Sequence, residues 1–129
     1  MILDTSAIIA ILFGEDDAYI YAKALQDSEI SRISTATFIE SSMVVEKYAN
    51  LRGGHLFDDL LRRAKIIIEP FTVEQAHIAR QAFLDFGKGR HAAGLNFGDC
   101  FVYALAKSTG EPLLYKGGDF SQTDIVPAL

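Results

Sequence analysis

A single cysteine, Cys100, stands in 129 residues, so no internal disulfide is possible and a reducing, cytoplasmic setting is expected. No apolar run approaches the roughly 20 residues that span a bilayer, which excludes a membrane segment. The first residues read MILDTSAII, with an acid at position 4 and no basic leader, unlike a signal peptide. There is no cluster of histidine and cysteine with ligand spacing, which argues against zinc. Repeats, linkers and low-complexity segments are also missing, and the length suits one domain over residues 1–129. Nor is there surplus positive charge. The 12 Lys and Arg are outnumbered by 17 Asp and Glu, giving a net charge of −5. Such a protein repels nucleic acid on bulk electrostatics, so a nucleic-acid function has to account for where its acids sit.

What is present alternates between short apolar strands and helical segments. Met1 to Asp4 reads as a strand, followed by helical stretches over Ala7–Phe13 and Glu15–Gln26. Ile30–Ser34 is a weak alternating strand, and Thr37–Ala49 carries a helical period. Gly53-Gly54 marks a turn before a helix over Leu56–Ala64. Ile66–Ile68 is a β-branched run of the kind found in a strand buried on both faces, closed by Pro70. Val73–Phe86 places Ile78, Ala79, Ala82, Phe83 and Phe86 along one stripe. An irregular, glycine-rich stretch over Gly87–Gly98 leads into a helix that stops at Gly110. Pro112–Tyr115 is another strand, and Ile125-Val126 a possible edge strand. Strands separated by helices predict an α/β protein with a parallel sheet and helices on both faces. Ligands of such sheets sit beyond the carboxyl ends of the strands.

Four carboxylates fall at that edge. Asp4 ends the first strand, and Asp119 follows the Leu113 strand after two glycines. Glu40 and Asp99 each fall in the first turn of a helix. An all-oxygen set of this kind suits a hard divalent cation, magnesium or manganese. A bound cation inverts the sign of the pocket and makes phosphate its preferred guest, so part of the −5 belongs to the site. A blander account stands beside this one. Thr37-x-x-Glu40 and Asn96-x-x-Asp99 both resemble capping boxes, and Asp119 can be a turn residue. Asp4 lies among Ile2, Leu3, Ala7 and Ile8 and needs a partner in either case. Ser6 can orient a carboxylate or water from behind the site, or cap the following helix.

The segments MILDTSAIIAIL, TFIESSMVV, GRHAAGLNFGDCFVYALAK and LLYKGGDFSQTDI, in this order over nearly the whole chain, resemble the PIN-domain family, and within it the VapC-type toxins. The resemblance implies a three-layer α/β/α sandwich with a central, mainly parallel sheet. It implies Asp4, Glu40, Asp99 and Asp119 as catalytic metal ligands, with Asp124 a possible stand-in for Asp119. It further implies a Mg2+- or Mn2+-dependent endoribonuclease acting on structured RNA such as tRNA or rRNA, a homodimer, and a VapB-type antitoxin partner. Hydrolysis by an activated water would leave 5′-phosphate and 3′-hydroxyl ends. Ribose 2′-OH chemistry would need a placed His/Lys pair, for which the sequence offers little. Lys88, Arg90 and His91, in the loop before Asp99, are candidates for contacting the RNA backbone, against an ordinary solvated loop.

Two other classes make different demands on these residues. A catalytically silent PIN domain that binds RNA or protein would not need an intact acidic set. A phosphoacceptor receiver needs an acidic pair after the first strand, where Asp4 stands alone, and an aspartyl phosphatase needs an Asp where Ser6 stands.

Overall fold

The computed structural model describes residues 1–48 and 53–129. Four short strands, β1 (Ile2–Leu3), β2 (Arg32–Ser34), β3 (Ile67–Glu69) and β4 (Leu113–Leu114), pair in parallel in the order β3-β2-β1-β4. Helices α1 (Thr5–Leu12) and α2 (Ala18–Asp27) join β1 to β2. Helices α3 (Thr35–Tyr48) and α4 (Gly53–Arg63) precede β3, and α5 (Val73–Phe86) and α6 (Phe97–Thr109) carry the chain back to β4. The chain thus steps from β1 to β2 in one direction and returns to the opposite side of β1. That reversal opens a crevice at the carboxyl ends of β1 and β4.

The side-chain alternation of the strands divides the core between the two faces of the sheet. Ile2 and Leu113 pack with Leu95, Val102, Leu105 and Phe120 on the side of α5 and α6. Leu3, Ile33 and Leu114 pack with Ile8, Val45 and Phe57 from α1, α3 and α4. Both faces are covered, as a parallel sheet requires, giving the three-layer sandwich. Each fully buried Leu or Ile stabilises this arrangement by about 1.5–3 kcal/mol.

Local signals place the helix ends. Thr72 accepts from the Gln75 amide at 3.1 Å and opens α5, and Gly110, at φ 71°, closes α6. Four expectations are corrected. Among the described residues β3 is an edge strand paired only to β2, and Ile67 and Ile68 are 42% and 39% exposed rather than buried on both faces. Residues 53 and 54 are the first turn of α4 rather than a loop. The tail forms only an isolated bridge, Leu113 to Pro127, instead of a final strand. Finally, α3 begins at Thr35, with the Ser34 hydroxyl accepting from the Ala36 amide at 3.2 Å. Ala49, the expected end of that helix, lies outside the described residues.

Candidate metal centre

Asp4 leaves β1 at the sheet's carboxyl edge and is tied there by its own amide, which donates to the Leu114 carbonyl at 2.9 Å. It is also the N-cap of α1, because its Oδ2 accepts from the Ser6 amide at 3.0 Å. The Ser6 hydroxyl donates to the same oxygen and accepts from the Lys116 amide at 2.9 Å. Ser6 therefore orients the carboxylate, and the capping it was a candidate for is done by Asp4. Burial pushes the Asp4 carboxyl above the usual carboxylate range. Its hydrogen bonds to Ser6 oppose that shift, and the nearby charge of Glu40 adds to it.

Asp99 sits at the third position of α6, in a complete capping box. Its amide donates to Asn96 Oδ1 at 2.9 Å, and its Oδ2 accepts from the Asn96 amide at 3.0 Å. Only 8% exposed, its carboxyl is pushed up to about 6, first by desolvation and then by the charges of Asp4, Asp119 and Glu40, against the Asn96 bond. The capping account of Asp99 is thus correct as geometry, and the capped group still feels the other three acids.

Glu40 cannot be a capping residue. With α3 beginning at Thr35 it lies in the second turn, and Thr37 is an interior residue whose hydroxyl has no hydrogen-bond partner among the described residues. Its carboxylate instead reaches the start of α6, where a Cβ built on Gly98 would lie 2.5 Å from Glu40 Oε2. Asp119 is exposed after the Gly117-Gly118 turn. Asp124 is committed elsewhere: it accepts from the Tyr103 hydroxyl at 2.7 Å and from Lys107 Nζ at 2.8 Å, which hold its carboxyl below the ordinary range.

Among the described residues, no three acidic, His or Cys side chains stand as a ready-made cage for one ion. Hydrogen bonds from the protein gather on Oδ2 of both Asp4 and Asp99. The donor set is all oxygen, and two of its carboxylates, Asp4 and Asp99, are each only 8% exposed. That chemistry fits a hard divalent ion, which would relieve the mutual repulsion.

Lys116, two residues beyond β4, bridges Glu15 and Asp17 in the turn between α1 and α2, with 2.7 Å to Asp17, and these partners raise its pKa. This contact has no local signature, because its partners lie about a hundred positions away.

The predicted RNA-contacting residues lie together on the exposed loop between α5 and α6. The Arg90 guanidinium sits 5.7 Å from the Phe83 ring centre. His91 accepts from the Ala93 amide at 3.0 Å and meets the Phe86 ring edge-on, while the Lys88 amide bonds to Leu95. Tyr103 and Cys100 are buried in the core, and His55 and His77 are exposed. Alongside Glu40 and Gly98 runs an apolar groove of about 730 Å³, whose walls include Ile39, Met43, Tyr48, Phe71, Phe97 and Phe101.

The sequence matches the PIN domain over residues 1–126. Ribonuclease VapC28 of Mycobacterium tuberculosis is 48% identical over 130 residues, spanning 100% of this chain and 98% of that protein. The crystal structure of Mycobacterium tuberculosis VapC20, described as a sarcin-ricin loop cleaving toxin, superposes with a TM-score of 0.78 at 17% identity, covering 97% and 95% of the two chains. A chain of VapBC2 from Rickettsia felis, bound to a DNA fragment from their promoter, gives 0.75 at 16% identity over 98% and 94%. The chain belongs to the PIN-domain family and is of the VapC type. At these low identities the two solved structures speak for the fold alone.

Proposed function

We propose that residues 1–129 form one nuclease domain, a divalent-metal-dependent endoribonuclease acting in the cytoplasm as the toxin of a VapBC-type module. The observation that carries this reading is the pair of nearly buried carboxylates, Asp4 and Asp99, at the carboxyl edge of a parallel sheet. Burial and the charges of Asp4, Asp119 and Glu40 raise Asp99 to about 6, so four acids bear on one crevice. The 48% identity to ribonuclease VapC28 over the full chain supports RNA as the substrate.

Asp4, Glu40, Asp99 and Asp119 are the residues that would hold magnesium or manganese. Such an ion, when bound, lowers the pKa of water and neutralises charge developing at a phosphodiester. Ser6 fixes the Asp4 carboxylate through its hydroxyl and amide. Asn96 fixes Asp99 through a backbone bond, so both acids keep one orientation without spending their second oxygen. Lys88, Arg90 and His91 would steady the RNA backbone beside the acidic crevice. Hydrolysis would leave 5′-phosphate and 3′-hydroxyl ends. A structured RNA such as rRNA or tRNA is the target proposed with this reading.

Two partners complete the proposal. A VapB-type antitoxin is supported by the VapBC2 assembly from Rickettsia felis. A homodimer is supported by the apolar face beside the groove, where Ile39, Met43, Tyr48 and Phe97 are 57–82% exposed.

The test is cleavage of total RNA by purified protein, freed of bound antitoxin, with Mn2+ or Mg2+ and with chelator, beside Asp99→Asn. Metal-dependent cleavage by the wild type alone is expected. Equal cleavage by both proteins would refute the assignment, and metal binding without cleavage of any RNA would favour a silent binding module.

A further inference from the structure

Gly98 is the second residue of α6, between the cap Asn96 and the candidate ligand Asp99. Glycine is a poor choice there, since alanine favours a helix. Its backbone does not call for glycine either, because Gly98 is not among the glycines with positive φ. What the missing side chain does provide is room. A Cβ at Gly98 would lie 2.5 Å from Glu40 Oε2 and 3.4 Å from Glu40 Cδ, whereas the next nearest atom, Asn96 Oδ1, would be at an ordinary 3.5 Å. The obstructed atom is thus the far end of a flexible side chain on another helix, and the three nearest atoms from outside the local helix backbone are all side-chain atoms. Adding a methyl group would leave the fold intact and push one carboxylate aside.

We propose that Gly98 is a positioning residue, whose lack of a side chain lets the Glu40 carboxylate close onto the start of α6 beside Asp99. The inference rests on the reading that these acids hold a divalent ion. To restore even a 3.0 Å contact, the Glu40 oxygen must retreat by about 0.5 Å. Metal–oxygen distances tolerate only about 0.2 Å. The substitution therefore separates two quantities that a purely structural glycine would move together.

The experiment compares wild type, Gly98→Ala, Glu40→Ala, the Gly98→Ala/Glu40→Ala double variant and Asp99→Asn by calorimetric titration with Mn2+ and by thermal melting in chelator. Gly98→Ala is expected to melt at the same or a higher temperature and to bind Mn2+ about tenfold more weakly, the usual scale for disturbing a ligand's support. In the Glu40→Ala background it should weaken binding no further. Wild-type Mn2+ affinity in Gly98→Ala would overturn the proposal. So would equal weakening in the Glu40→Ala background, or a lower melting temperature accompanying the loss. If Asp99→Asn loses Mn2+ while Gly98→Ala keeps it, only the role of Gly98 falls. If Asp99→Asn itself binds like wild type, the metal reading fails and takes this inference with it.

Discussion

Replacing Asp99 by asparagine should make the metal-free protein more stable at pH 7 while removing its capacity for the ion. The carboxyl is 8% exposed, and its pKa rises from 3.8 to about 6 on folding, chiefly through desolvation. A folded group that holds its proton more tightly than the unfolded one contributes stability that is complete below about pH 3.8. That contribution is lost as pH rises through about 6. At pH 7 the ionised carboxylate then costs roughly 3 kcal/mol relative to its protonated form, at 1.36 kcal/mol per unit. Asparagine keeps an oxygen able to accept from the Asn96 amide but carries no charge. A gain of about 1–3 kcal/mol follows, or roughly 3–10 °C in melting temperature for a domain of this size. Thermal melts of both proteins in chelator, from pH 4 to 8, measure it. The difference between variant and wild type should be small near pH 4 and reach its full value by pH 7. Groups such as Asp124 and Asp59, whose pKa values are lowered, lie on both proteins and cancel in the difference. Added Mn2+ should then raise the melting temperature of the wild type alone. A variant no more stable than wild type at pH 7, or a difference that does not change with pH, would refute the reasoning.

The other expectations separate neighbouring residues. Asp119→Asn should weaken Mn2+ binding with little effect on melting, whereas Asp124→Asn should lose the Tyr103 and Lys107 bonds, lower the melting temperature and leave Mn2+ affinity alone. Calorimetry and melts on the two variants decide this, and the opposite pattern would make Asp124 the fourth ligand. Met43→Lys together with Phe97→Asp, both on highly exposed positions, should convert a homodimer to a monomer in sedimentation without lowering the melting temperature of the fold. An unchanged sedimentation coefficient would place the dimer contact on another face.

Much of this protein could be read from its residues in order. The Val73–Phe86 stripe gave the limits of α5, since a long amphipathic period needs no partner to be recognised. Asn96, Asp99 and Gly110 marked the ends of α6, because caps are chemistry within a few residues. The alternation of strands and helices pointed to the parallel sheet, and hence to the edge where Asp4 and Asp119 belong. What remained ambiguous was decided by contacts across the chain. The Ile66–Ile68 run has the composition of a central strand, yet the order β3-β2-β1-β4 leaves it at the edge, because pairing order is invisible to local composition. Thr37-x-x-Glu40 has the spacing of a cap. It lost that role when Ser34 opened the helix three residues earlier, and this freed Glu40 to reach Gly98. Asp4 caps a helix and belongs to an acidic crevice at once, a double use that sequence spacing presents as alternatives. Residue types and short-range spacing thus determined which groups this protein has to work with. Only the tertiary structure decided which of them share a charge environment, because burial and electrostatic coupling depend on distance in space rather than along the chain.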